Sequence, residues 1–372
     1  MTRAAVLERP GEATRIEDLE LAPPGAGEVR VRMTASGVCH SDLHVRDGEW
    51  DRPGPIVLGH EGAGVITEVG AGAGGLRVGQ PVALSWLVPC GRCRACRSGR
   101  PWACPDSPSF RHRMLDGTTR WRRPTDGTDV LTYCAIGTMA EASVVPAGAA
   151  IPIPDGIDPA AAGLIGCCVA TGVGAVTKTA GVEAGASVAV IGLGGVGLSC
   201  VMGAALAGAT RIVAIDRVAA KLEAAVGVGA TATVLAGSDA AATLAEVRDA
   251  TDGGPDYVFE AIGRAETIEL ALAALPLGGT AVLVGMTPYG VRASFEVYPF
   301  VDGSRRILGS NYGFADPAVD FPRYAELHRA GRLPIGRLVD RRIGLDDLED
   351  AFEGLRRGAY TRQVIVFDPP GS

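Results

Sequence analysis

The 372-residue chain is too long for one ordinary hydrophobic core and predicts two domains. Its hydrophobic content of 47% offers ample apolar surface to bury, and a formal charge of −7 without a basic patch or a run of like charges excludes nucleic acid as an expected partner. Nine cysteines make an odd number, and Met1–Gly11 is mixed and charged instead of leader-like, so a cytoplasmic chain with metal or thiol chemistry is expected in place of a disulfide framework.

In chain order, the N-terminal part reads as short strands between Gly/Pro turns, with Val29–Met33, Gly64–Val69 and Gln80–Ala83 as typical pieces. Pro159–Thr177 and Ala184–Thr210 carry no charge, but glycines interrupt both and neither is expected to cross a membrane. A βαβ rhythm then sets in. Ser187–Ile191 predicts a buried strand, Gly192–Gly197 a glycine turn, Val196–Ala207 a helix and Arg211–Asp216 a second strand. Ala219–Val228 (helix), Tyr257–Glu260 (strand), Thr267–Ala274 (helix) and Thr280–Val284 (strand) continue it, which implies a doubly wound parallel sheet. The tail predicts helices near Phe321–Ala330 and Leu345–Arg357 and a strand at Gln363–Phe367. The α/β nucleotide domain, 169–310, is therefore expected as an insertion between 1–168 and 311–372.

Three groups of residues carry chemistry. Cys90, Cys93, Cys96 and Cys104 follow the spacing C-x2-C-x2-C-x7-C, which lets four thiolates surround one tetrahedral zinc; an iron–sulfur cluster is the alternative. With no ligand position left open, that site predicts a structural lobe over about residues 90–104. Cys39, His60 and Cys167 offer a second zinc three protein ligands and leave a fourth position for water or substrate. Gly192-Leu193-Gly194-Gly195-Val196-Gly197 matches G-x-G-x-x-G in the strand–turn–helix context the motif requires, with the pyrophosphate expected at the helix N-terminus. Asp216 ends the next strand, where a carboxylate holds an adenosine-ribose hydroxyl and repels a 2′-phosphate, so NAD is expected over NADP.

These pieces together resemble the zinc-containing medium-chain alcohol dehydrogenase family over nearly the whole chain. The closest likeness is to the branch of liver-type alcohol dehydrogenases and thiol-linked formaldehyde dehydrogenases. The matching stretches include Gly-Val-Cys39-His-Ser-Asp, Gly-His60-Glu61-Gly, the four-cysteine lobe, Leu-Ile-Gly-Cys167, the glycine motif, Glu260-Ala-Ile-Gly-Arg264 and the loop Met114–Trp121. The resemblance implies a GroES-like β-rich catalytic domain plus a Rossmann domain, two zinc ions per chain, NAD, a small-molecule alcohol or aldehyde and a homodimer. By the same resemblance Cys39, His60 and Cys167 ligate catalytic zinc, Glu61 sits beside it and Asp42 orients His60. Ser41 touches the substrate hydroxyl and passes its proton through the nicotinamide ribose to His44, while hydride goes to NAD. Thr171, Ile262, Gly263, Val284 and Gly285 contact the cofactor, Lys221 joins Asp216 at the ribose, and His40 and Arg362 hold the pyrophosphate. Trp50 and Trp86 fall in stretches that line the substrate cleft of relatives. The implied substrate is a primary alcohol or aldehyde, aromatic ones included. The alternatives are an S-hydroxymethyl-thiol (mycothiol-type) formaldehyde dehydrogenase and, more remotely, a non-enzymatic NAD-binding zinc protein.

Overall fold

A computed structural model describes residues 1–367. Two compact units emerge. The first comprises Met1–Cys167, Asp316–Ala330 and the chain from Val339 onward; the second comprises Cys168–Ala315 and Gly331–Leu338.

The first unit is built mainly from antiparallel strands. Thr2–Leu7, Arg15–Leu21, Trp121–Arg122, Asp129–Thr132 and Ile56–Val57 close into a small barrel. A seven-stranded sheet centres on Glu28–Val38, which pairs with Gly62–Val69, Ala142–Pro146 and Gln363–Val366. Flanked in this way, Glu28–Val38 is buried along nearly its whole length, with Arg30, Arg32 and Thr34 partly exposed. The register of the last pair sets Gln363 opposite Val38, so the C-terminal strand begins beside Cys39.

In the second unit we label the strands β1 (Ser187–Ile191), β2 (Arg211–Asp216), β3 (Ala232–Leu235), β4 (Tyr257–Glu260), β5 (Thr280–Leu283) and β6 (Arg306–Gly309). Their spatial order is β3-β2-β1-β4-β5-β6 and every pair is parallel. Strand β1 is central and buried at all five positions. Its helix, Gly195–Ala207, ends on Gly208 in the left-handed conformation. The fold is thus α/β, a β-rich part of GroES-like kind plus a doubly wound Rossmann part, as the family resemblance implies.

The boundaries differ from the expected division in three places, the first being Cys168, which opens the second unit. Residues 311–315 belong to the second unit because Gly313 packs backbone to backbone on Gly174. Gly331–Leu338 joins it too, and Arg337 donates to the Gly227 carbonyl within that unit. Strands β3 and β6 and the helix Ala240–Ala250 carry too little apolar pattern to be read from sequence; β6 is a mostly exposed edge. Leu345–Arg357 resolves into a 3₁₀ turn, Leu345–Asp347, and an α-helix, Leu348–Arg356. Among the described residues one helical run, Pro159–Ala180, is long and apolar enough to cross a membrane, and 89% of its most apolar stretch is buried within the protein.

Candidate functional site

Cys39 caps the short helix His40–Arg46, which carries His40, Ser41, Asp42 and His44 within two turns. His60 and Glu61 directly precede the strand Gly62–Val69. Cys167 sits in a π-turn, Ile165–Val169, a local widened, under-wound geometry frequent at functional sites. A Cβ on Gly166 would stand 2.1 Å from the Leu84 carbonyl, so only glycine lets this turn lie so close to the strand Pro81–Leu84.

These elements bring Cys39, His60 and Cys167 together. All three are buried and their ligand atoms lie within 4.8 Å of one another. The Cys167 Sγ is 3.4 Å from His60 Nε2. Donors bonded at about 2.0 and 2.3 Å to one tetrahedral ion stand about 3.5 Å apart, so the donor set fits zinc. Asp42, fully buried, meets His60 Nδ1 with Oδ1 at 3.0 Å and leaves Nε2 directed toward the two sulfurs. The shared proton with Cys167, helped by Arg362 and His60, holds the Cys39 thiol well below its ordinary value. Burial opposes charge on His60, but Asp42 and Cys39 outweigh it and raise the imidazole well above its usual range. A divalent ion would displace the protons that this cluster otherwise has to share.

Arg362 is buried, donates to the Val38 carbonyl at 3.0 Å and pairs with the equally buried Glu61. Two of its nitrogens thus go to protein acceptors beside the cysteine–histidine cluster. Removing one partner of such a pair typically costs about 3–5 kcal/mol. Ser41 Oγ lies 3.8 Å from Cys39 Sγ. Trp50 is buried and stacks on the His44 ring, whereas Trp86 is half-buried against a core that includes Met33 and Leu84. His40 is exposed.

Sequence reasoning passed over three neighbours. Glu49 meets His44 Nδ1. Tyr133 presents its ring edge to His60, centroids 5.7 Å apart, and His112 lies 5.4 Å from Tyr133 on the other side. His112 is 6% exposed, adopts φ 56° and accepts the Cys134 N–H on Nδ1 at 3.1 Å. Burial, aided by the charge of Arg52, pushes its imidazole down to about 4. The folded protein thus refuses a proton that the unfolded chain accepts at the ordinary histidine value. Stability from this group is complete above about pH 6.5 and is lost as pH falls toward about 4, by about 3 kcal/mol. Urea denaturation at about pH 7 and about pH 4 should show this loss, and His112→Gln should remove it; an unchanged pH slope in the variant would refute the assignment.

The four-cysteine lobe is equally compact. Cys90, Cys93, Cys96 and Cys104 place their sulfurs within 4.8 Å of one another. That spacing fits a single ion bonded at about 2.3 Å and is too tight for a cluster whose thiolates sit on different irons. Backbone N–H groups point at the sulfurs: Cys90 donates to Cys104 at 3.3 Å, Cys93 to Cys90 at 3.3 Å and Cys96 to Cys93 at 3.4 Å. The thiols cannot ionise together unaided: the Arg92 N–H pulls Cys90 down to about 7, while burial pushes Cys96 up to about 12. Cys168 is buried next in chain to Cys167 but is not a member of either donor group.

In the second unit, Gly192 adopts φ +90°, and a Cβ on Gly197 would lie 1.7 Å from the Gly192 carbonyl oxygen. A Cβ on Gly194 would meet nothing within 4 Å, so the turn leaves an open cradle at the helix N-terminus, the shape a pyrophosphate requires. The Leu193 N–H donates to Asp216 Oδ2 at 2.8 Å and the Val218 N–H to Oδ1 at 3.0 Å, which holds the carboxylate at the mouth of the glycine turn. Glu260 accepts from the Ile262 and Gly263 N–H groups at 2.9 Å each, and its carbonyl accepts from Val284 and Gly285. One acidic residue therefore ties together both loops expected at the cofactor. Lys221 lies half-buried on the helix Ala219–Gly227, and Thr171 half-buried on Ala170–Gly174.

Residues 25–155 match the family model described as the alcohol dehydrogenase GroES-like domain, and 195–328 the one described as zinc-binding dehydrogenase. An NDMA-dependent alcohol dehydrogenase of Amycolatopsis methanolica is 35% identical, with 98% of each chain covered. An S-(hydroxymethyl)glutathione dehydrogenase of Synechocystis sp. is also 35% identical, over 98% of this chain and all of its own. Among solved structures, the benzyl alcohol dehydrogenase of Acinetobacter calcoaceticus superposes with a TM-score of 0.92 at 29% identity, covering 99% of both chains.

Proposed function

The chain belongs to the zinc-containing medium-chain alcohol dehydrogenase family, and from that premise we propose that it moves hydride between a primary alcohol or its aldehyde and NAD. Membership makes it a zinc-dependent alcohol oxidoreductase that uses a nucleotide cofactor. The observation that carries the finer reading is the buried Cys39–His60–Cys167 donor set with Asp42 behind His60.

When bound, zinc supplies a Lewis acid for the alcohol oxygen or aldehyde carbonyl, and NAD exchanges the hydride. The chain's own residues do the rest. Cys39, His60 and Cys167 hold the ion, and Asp42 keeps the His60 tautomer that presents Nε2. Arg362 and Glu61 brace the strand end before Cys39. Ser41 receives the hydroxyl proton, and His44 is the base beyond it. Tyr133, buried with its ring edge on His60, and Trp50, buried against the ring of His44, favour an apolar and aromatic substrate. Turnover assays with aliphatic, aromatic and thiol-adduct substrates against NAD, NADP and NDMA, beside metal analysis, test the reading. A metal-loaded protein that oxidises none of these alcohols would overturn it, and a preference for thiol adducts would replace the substrate class.

Asp216 supports NAD as the dinucleotide, because its carboxylate already faces the glycine turn and a 2′-phosphate would add like charge there. Asp216→Ala is expected to raise the NADP/NAD ratio of kcat/KM at least about tenfold, the effect of about 1.4 kcal/mol of relieved repulsion. An unchanged ratio counts against the assignment.

The proposal extends to two zinc ions per chain and to a cytoplasmic homodimer. None of the nine cysteines is paired in a disulfide, which suits a reducing compartment. The open edge of β6 and the helix Val297–Asp302, where Tyr298 is 79% exposed beside Val297 and Val301, offer an apolar surface suited to a second copy.

A further inference from the structure

His44 has a close partner in Glu49. The chain turns back after the helix His40–Arg46, and the Trp50 N–H donates to the His44 carbonyl at 3.1 Å. That turn delivers two side chains to one imidazole. Trp50 stacks on it, with centroids 4.7 Å apart and planes at 26°, and Glu49 Oε2 meets its Nδ1. The other charged groups nearby have partners of their own: Arg46 pairs with Asp47 and Glu349, and Asp47 also with Arg356. The His40 ring is 6.5 Å away and tilted.

We propose that Glu49 is a positioning residue for proton release: it accepts the Nδ1–H of neutral His44 and so fixes the tautomer whose Nε2 lone pair takes the substrate's proton. This rests on the reading of Ser41 and His44 as the proton-handling pair. A carboxylate can only accept, so the nitrogen that faces it carries the hydrogen and the opposite nitrogen is bare. The other tautomer would set two acceptors against each other and leave Nε2 protonated, unable to act as a base. Trp50 fixes the plane of the ring, so Nε2 points in one direction. In alcohol oxidation the O–H bond breaks and an N–H bond forms at Nε2. The carboxylate then faces the imidazolium until a proton passes to water, which reaches Glu49 because its side chain is 44% exposed.

Nitrogen-15 NMR of the zinc-loaded enzyme reads the tautomer directly, and His44→Gln assigns the resonance among five histidines. Wild type should show Nδ1 protonated and Nε2 bare. Glu49→Ala should give a mixture of tautomers and about a tenfold lower kcat for alcohol oxidation, with the alcohol KM unchanged. Glu49→Gln keeps an accepting oxygen and should retain both the tautomer and most of kcat. In a His44→Gln background, Glu49→Ala should cost nothing further. An unchanged tautomer and kcat in Glu49→Ala, with kcat lowered in His44→Gln, would overturn the role of Glu49 alone. An equal loss in Glu49→Gln and Glu49→Ala would overturn the tautomer assignment. Full kcat in His44→Gln would remove the proton-handling pair itself, and this proposal with it.

Discussion

Cys39→Ala is expected to leave a folded chain that binds one metal fewer and turns over at least about a thousandfold more slowly. The size follows from what the site contributes: stabilising charge on the reacting oxygen is worth several kcal/mol, and about 4 kcal/mol corresponds to a thousandfold. The fold should survive because Cys39 contributes one small buried side chain at a helix cap, while the strand before it is held on both edges. The brace from Arg362 to Val38 and Glu61 stays intact in the variant. Metal content, the denaturation midpoint and turnover should therefore separate: the first falls, the second barely moves and the third collapses. Turnover within about tenfold of wild type would refute the role of Cys39.

That separation is legible in the sequence only in part. The two donor sets could be read early because each rests on cysteine and histidine, residues with few other uses in such patterns, and the glycine turn because a strand, a turn and a helix follow one another locally. Interactions that depend on tertiary register were hidden. Arg362 and Glu61 are 301 positions apart and meet only because Gln363 pairs opposite Val38. An arginine near the C-terminus carries no sign of burial, so its pairing with Glu61 could not be read from the sequence. Glu49 is five positions from His44, yet its orientation depends on the turn that stacks Trp50 on the same ring. Tyr133 reaches His60, and His112 reaches Tyr133, through loops with strained, left-handed residues at His112, Cys134 and Ala135, which no propensity anticipates. Strand β6 was missed for a plainer reason. It is an exposed edge, and without burial there is no alternation to see.

The four-cysteine lobe should respond in the opposite way to the Cys39 cluster. Its only regular elements are the four-residue helix Arg94–Arg97 and the 3₁₀ turn Pro101–Ala103, and neither buries a side chain. A segment so short cannot order itself by helix formation or by apolar burial. Its order must come from the ion, whose binding in comparable small peptides is worth on the order of 10 kcal/mol. Cys104→Ser is therefore expected to melt the lobe locally. Cys104 is the most buried of the four sulfurs, and the Cys90 N–H donates to it. One metal should be lost, and limited proteolysis should cut at the arginines Arg92, Arg94, Arg97 and Arg100, which wild type protects. The Cys39, His60 and Cys167 donors draw on other elements, so the second metal should remain and turnover should fall far less than in Cys39→Ala. A lobe that stays protease-resistant after losing its metal would show that packing holds it. Simultaneous loss of both metals would show instead that the two sites fold as one cooperative unit.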